Sequence, residues 1–176
     1  MNIRRATPQD AIGIAQVHVS SWQTTYTGII PDELIQSRNI DNRTAIWTRI
    51  LNRDTPNNII FVAEGEGQIV GFAHAGEPQE TVEGFDTELY AIYITQEAQG
   101  QGIGRQLIQA CSDNLYAQGY KSLILWVLKA NRNSRSYYEH MGGKIIKEGY
   151  YAPTETFSIK TLAYGWTDIQ TLTTGS

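Results

Sequence analysis

Residues Gln96 to Arg105 read Gln-Glu-Ala-Gln-Gly-Gln-Gly-Ile-Gly-Arg, with glycine at 100, 102 and 104. An amphipathic pattern follows at once: Ile103, Leu107, Cys111 and Leu115 recur at every fourth position, which is one face of a helix. A glycine there costs roughly 0.5–1 kcal/mol relative to alanine, so bare backbone at a helix entrance answers a need. Close approach of a phosphate to the unpaired N–H groups that open a helix is such a need. Two phosphate loops fail by counting. A dinucleotide fingerprint Gly-x-Gly-x-x-Gly begun at Gly100 ends on Arg105, and begun at Gly102 it ends on Leu107. The kinase- and ATPase-type loop around Gly143-Lys144 would need glycine at Tyr138 and a hydroxyl residue at Ile145. What remains is Gln99-x-x-Gly102-x-Gly104.

The other reactive side chains are sparse. Three histidines (His18, His74, His140) and one cysteine show no metal-ligand spacing, so no metal is expected. Cys111 lies on the apolar stripe of its helix and reads as core, not as a nucleophile. A single cysteine forms no internal disulfide, which suits a reducing compartment. The 176 residues, 41% hydrophobic and 18% charged, fit one globular domain over residues 1–176. A formal charge of −4 and a pI near 5.3 argue against nucleic acid as the main partner. The first segment, MNIRRATPQDAIGIAQ, lacks the apolar run of a signal peptide, and no stretch has the length of a membrane span. The expectation is a cytoplasmic protein without a membrane partner.

The elements that position the glycine stretch can be read in order. Asn2 to Ala6 reads as a strand, and Thr7-Pro8-Gln9-Asp10 as a helix start with Thr7 as N-cap and Pro8 at the first helical position. That helix runs to about Ser21. Pro31 opens a second helical region, and Asp41 to Leu51 a third, with Ala45, Ile46, Trp47 and Ile50 expected inward. Ile59–Ala63 and Gln68–Ala75 read as strands joined by a Glu64-Gly65-Glu66-Gly67 turn, and Glu88–Ile94 as a third. After the glycine helix and its stop at Gly119, the apolar run Ser122–Leu128 has the pattern of a central strand. A helix from about Asn133 to Met141 and strands near Lys144–Tyr151 and Thr156–Gly165 complete the chain. This order predicts an α/β fold: a mixed, mostly antiparallel central sheet with helices on both faces.

Gln99-x-x-Gly102-x-Gly104, after one strand and before an amphipathic helix, resembles motif A of the GNAT N-acetyltransferase family, Gln/Arg-x-x-Gly-x-Gly/Ala. A second signature follows as Asn131-Arg132-Asn133-Ser134-Arg135-Ser136-Tyr137-Tyr138-Glu139-His140-Met141-Gly142, similar to the family's Asn…Phe-Tyr-Glu-x-x-Gly-Phe helix. The departures are Tyr137 for the usual Phe and Gly143 for the Phe after Gly142. The resemblance spans nearly the whole chain and implies the acyl-CoA N-acyltransferase fold. It also implies acetyl-CoA as cosubstrate and direct transfer of the acetyl group to a primary amine of a small molecule or peptide.

The residue roles follow from that resemblance. Gln99, Gly100, Gln101, Gly102, Ile103, Gly104 and Arg105 would hold the pyrophosphate, with backbone N–H groups and the helix dipole as the attraction. Ile92, Tyr93 and Ile94 would bond the pantetheine and acyl carbonyl through their backbone, and Asn131 would contact the coenzyme. Tyr138 is the implied general acid; an unperturbed tyrosine titrates near pH 10 and keeps its proton at neutral pH. Glu88, on the strand before the glycine loop, is the implied base, acting directly or through water, and burial would raise its pKa. His74 on the preceding strand is the rival base.

The acceptor is less defined. The segment Glu77 to Glu88, EPQETVEGFDTE, carries five acids and no base, which would attract a cationic amine or else simply solvate a loop. The resemblance implies that the region after the first helix covers the acceptor pocket, with Trp22 and Tyr26 as lining candidates; aromatics four apart on a helix are equally ordinary core. A coenzyme-binding module of the same fold without turnover is the alternative reading. Trp166 and the C-terminal strand are candidates for an edge-to-edge homodimer.

Overall fold

A computed structural model describes residues 1–53 and 55–173. The strands are β1 (Asn2–Arg5), β2 (Ile59–Gly65), β3 (Gln68–Gly76), β4 (Glu88–Ile94), β5 (Leu123–Leu128), β6 (Lys144–Thr154) and β7 (Phe157–Trp166). The helices are α1 (Ala11–Tyr26), α2 (Asp32–Gln36), α3 (Ile40–Leu51), α4 (Ile103–Ala117) and α5 (Arg132–His140). The strands form one seven-stranded sheet in the order β1-β2-β3-β4-β5-β7-β6. The pairs β1–β2, β2–β3, β5–β7 and β6–β7 are antiparallel, and β4–β5 is parallel. The chain divides into two compact units, Met1–Ala75 with Ala91–Cys111, and Gly76–Tyr90 with the residues from Ser112 onward. Among the described residues, no helix is long and apolar enough to cross a membrane.

In the first unit, Pro8 opens a short 3-10 turn, Pro8–Asp10, and the α-helix proper begins at Ala11. Asp10 organises this start: its Oδ2 accepts the Thr7 N–H at 2.7 Å, and its two oxygens take the Arg4 guanidinium at 2.8 Å each. α1 runs a full turn past Ser21, to Tyr26, because Trp22 and Tyr26 sit one turn apart and pack ring on ring, 4.3 Å between centroids. Its buried stripe of Ile14, Ala15 and Val17 meets Trp47 of α3 and Val62 and Phe72 of β2 and β3. Ala45, expected inward, is exposed. Two residues from Trp47 it falls about 200° round the helix, on the opposite face. The β2–β3 turn is tighter than the four-residue reading, with Glu66 and Gly67 at φ 52° and 77° as its central pair. Two successive positive φ values match the right-handed twist of the flanking strands.

In the second unit, β5 is buried along nearly its whole length, as its apolar run predicts. It pairs with β4 through Glu88↔Ile124 and Leu89↔Leu125, and with β7 from Leu123↔Trp166 to Leu128↔Thr161. β7 also pairs with β6, so both of its edges are occupied and Trp166 is 4% exposed. The C-terminal strand is therefore interior to the sheet and not one of its edges. The preceding strand, β6, stands at the sheet's end. α5 stops at Gly142, whose φ of +84° lies in the left-handed region that ends a helix.

Candidate active site

β4 ends at Ile94, and a 3-10 turn, Gln96–Ala98, leads to the glycine stretch. Gly100 and Gly102 have φ of +74° and +76°, a conformation that a side chain opposes. Gly104 is already helical, so backbone handedness does not explain it. The first N–H after the loop that bonds back into α4 is that of Gln106, to Gly102 O at 3.2 Å. The N–H groups of Ile103, Gly104 and Arg105 precede it and have no intrahelical acceptor, while the Ile103 side chain is buried in the core. Gln99 ties the loop back to its strand: its Nε2 donates to Ile94 O at 3.2 Å. Ser21 Oγ donates to the same carbonyl at 3.2 Å, a contact the sequence does not announce.

Around Tyr93 the first unit gathers aromatic side chains. Trp22 lies 6.5 Å from its ring, and the Tyr26 hydroxyl is 3.5 Å from the Tyr93 hydroxyl. His18 stacks on Tyr93 at 5.1 Å and accepts the Trp47 Nε1–H on its Nδ1 at 3.2 Å. Burial, then the charges of Arg43 and Arg38, push His18 down to about 4. It has no partner pattern in the sequence; the available signal is that 18, 22 and 26 share one face of α1. His74 packs edge-on against Trp47 at 5.5 Å, with its Nε2 3.0 Å from Asn58 Oδ1. Burial and Arg53 push it down to about 4, which leaves a neutral ring with little appetite for a proton at neutral pH.

Glu88, in the second unit, is buried and accepts the Gln79 N–H on Oε2 at 2.8 Å. Burial raises its pKa; the Gln79 hydrogen bond opposes and the nearby Glu80 adds to the rise. Asp86 accepts the N–H groups of Lys121 and Ser122 at 2.8 and 2.9 Å and the Ser122 hydroxyl at 2.8 Å. Burial works against it, yet those donors hold its carboxyl below the usual range. Two of the five acids in the loop thus have inward tasks, while Glu77, Glu80 and Glu83 are exposed.

Tyr138 is 8% exposed, and its ring lies 5.6 Å from Tyr137, 6.1 Å from Tyr164 and 6.4 Å from Trp166. The Tyr164 hydroxyl donates to Glu139 Oε1 at 2.5 Å and accepts from Arg135 Nε at 3.3 Å, which pins α5 to β7. Asn131 caps α5, its Oδ1 accepting the Ser134 N–H at 3.2 Å. Cys111 is buried and its thiol is pushed up to about 12, in keeping with a core role. The glycine loop, Ile92–Ile94, Trp22, Tyr26 and His74 belong to the first unit, and Glu88, Asn131 and Tyr138 to the second.

The model of the acetyltransferase (GNAT) family matches residues 19–143. The chain belongs to the GNAT family. An uncharacterized N-acetyltransferase, YuaI of Bacillus subtilis (strain 168), is 34% identical over 176 residues, covering 99% of this chain and 97% of its own. The L-amino acid N-acyltransferase MnaT of Escherichia coli (strain K12) is 27% identical over 143 residues, 81% of this chain and 78% of its own. The crystal structure of PaiA N-acetyltransferase from Thermoplasma acidophilum, in complex with coenzyme A, superposes with a TM-score of 0.72. That pair is 21% identical over 92% of this chain and 96% of the other.

This GNAT chain accommodates its second-signature departure by local packing. At Gly143 a Cβ would lie 2.6 Å from the Trp166 ring and 2.9 Å from Tyr138 O. The Trp166 indole, held by a 2.9 Å bond from its Nε1 to Met141 O, fills the space beside Gly143, so a larger side chain there would collide with it.

Proposed function

We propose that this GNAT N-acetyltransferase uses acetyl-CoA and transfers the acetyl group directly to a primary amine of a small molecule or peptide. The observation that carries the reading is the α4 entrance, where two left-handed glycines precede three N–H groups with no intrahelical acceptor. Backbone donors in that conformation suit a pyrophosphate, and Arg105, exposed beside them, adds a charged donor. Gly104 keeps the first turn bare for the same approach. Ile92, Tyr93 and Ile94 present the backbone against which the pantetheine and acyl carbonyl are held, and Asn131, its Oδ1 engaged, contributes its amide nitrogen.

Acetyl-CoA supplies the thioester. Glu88, whose pKa is raised by burial, takes the proton of the acceptor ammonium, directly or through a water, so that the nitrogen attacks as a neutral amine. The carbon–nitrogen bond forms as the carbon–sulfur bond breaks, and the Tyr138 hydroxyl gives its proton to the departing thiolate. The nitrogen sheds two protons: the first, from the ammonium, passes through Glu88 to solvent, and the second, lost as the amide forms, balances the one that Tyr138 gives to the sulfur.

The test is free-thiol release from acetyl-CoA against polyamines, aminoglycosides, amino acids and short peptides, beside thermal unfolding with acetyl-CoA, ATP or NAD. Acetyl-CoA at 100 times its Kd stabilises by about 2.7 kcal/mol. Stabilisation by ATP alone, or none by acetyl-CoA, overturns the reading. Stabilisation without thiol release from any amine reduces it to coenzyme binding.

A further inference from the structure

Two tryptophans in the first unit have opposite fates. Trp47 donates its Nε1–H to His18. Trp22 is also buried, 7% exposed, yet among the described residues its Nε1–H has no hydrogen-bond partner. A buried donor without a partner is destabilising, and such groups are uncommon in folded chains. The Arg38 guanidinium lies over the same indole, 3.7 Å from its centroid. The charges that reach the neighbouring His18 are those of Arg43 and Arg38, both positive. The cluster therefore combines an apolar aromatic lining, one unspent N–H donor and a cationic field.

We propose that Trp22 Nε1 and the Arg38 guanidinium anchor a carboxylate of the acceptor, which makes the acceptor an amino acid rather than a polyamine. This rests on the acetyltransfer reading above. One carboxylate oxygen accepts the indole N–H and the other the guanidinium, a charge-assisted pair. A polyamine, protonated at its nitrogens, offers no acceptor for the indole N–H. The indole nitrogen is enclosed in the ligand-free protein, so the anion must draw the Arg38 side chain off the ring. The charge-assisted hydrogen bonds that the carboxylate accepts then replace the stacking of the guanidinium on the ring. Arg38 follows the five-residue helix α2, on a half-buried side chain. The sequence singles out Trp22 and Tyr26 as pocket candidates; Arg38, sixteen residues beyond Trp22, is found only through the fold.

The experiment compares amines that differ only by the carboxylate: L-phenylalanine against phenethylamine, and L-leucine against isoamylamine. Thiol release from acetyl-CoA should show kcat/KM about tenfold or more in favour of each amino acid. Arg38→Gln, and Trp22→Phe, which keeps a ring and removes the N–H, should raise the amino acid KM about tenfold and erase the preference within each pair. Equal or better turnover of the bare amines overturns the proposal. So does a loss shared equally by both members of a pair, the signature of a structural role. If neither pair is turned over, the same compounds are titrated calorimetrically into the protein with coenzyme A. Binding of an amino acid that Arg38→Gln abolishes supports the anchor, and binding by no amino acid overturns it. Absence of any acetyl-CoA stabilisation overturns the acetyltransfer reading instead, and the titration, repeated without coenzyme A, then supports or overturns the anchor by the same criterion.

Discussion

The Glu88 carboxylate accepts the Gln79 N–H at 2.8 Å while burial pulls its pKa in the opposite direction to that bond. The buried charge is the disfavoured form, and a carboxyl raised above its ordinary value is better matched to taking a proton near neutrality. The acid limb of the kcat/KM profile should therefore lie above pH 4.5. Glu88→Gln keeps an acceptor for Gln79, so Tm should hold or rise while kcat falls about a hundredfold. A Glu88→Gln enzyme with wild-type kcat removes this residue from the chemistry.

Tyr138→Phe removes one hydroxyl from a ring that Tyr137, Tyr164 and Trp166 keep in place. Loss of an acid used only in the transition state lowers kcat and kcat/KM together. The expected drop is about tenfold to a hundredfold with the coenzyme KM unchanged. Steady-state kinetics at saturating acceptor decide it.

At Gly102, φ is +76° and the nearest heavy atom to an added Cβ is Gln106 Nε2 at 3.9 Å. Space is available inside the protein, so the cost of a side chain is conformational, roughly 1–2 kcal/mol. Gly102→Val should leave a folded protein with a slightly lower Tm and raise the coenzyme KM by about tenfold or more, because the side chain meets the ligand. A fall in Tm without any change in KM would separate the glycine from coenzyme binding.

His18 and His74 both titrate near 4 in the folded chain, below the ordinary 6.5. Between those values the unfolded chain binds more protons than the native one, so stability rises with pH across this window and is lost as pH falls from about 6.5 to 4. Each shift corresponds to about 3 kcal/mol at most. Asp10, held near 2 first by its Arg4 hydrogen bonds, adds a further loss below 3.8. Thermal unfolding from pH 7 to 4 should show a falling Tm, and His74→Gln, which keeps a polar end for Asn58, should flatten that slope.

Much of the fold is legible because local chemistry repeats. The α4 stripe at every fourth residue is buried at Ile103, Leu107, Cys111 and Leu115 alike, and the central-strand run becomes β5. Gly100, Gly102, Gly119 and Gly142 take positive φ where a loop or helix end needs it. The orientation of Ala45 and the end of α1 are not legible in the same way, because one aromatic residue, Trp47 or Tyr26, decides the helix face or length through packing.

The sequence by itself carried the family resemblance and the glycine entrance, since spacing along one strand and the helix after it records those; the candidate acid and base, Tyr138 and Glu88, are what that resemblance implies. Tertiary structure alone decided which groups meet. His18 finds Trp47 across 29 residues, Asp86 is drawn into Ser122 across 36, and β7 is closed on both edges. Arg38 over Trp22 belongs to the same class. Such contacts join residues far apart in the chain, and no periodicity records them. They arise because burying the apolar stripes leaves each remaining polar group to find a partner or wait for one.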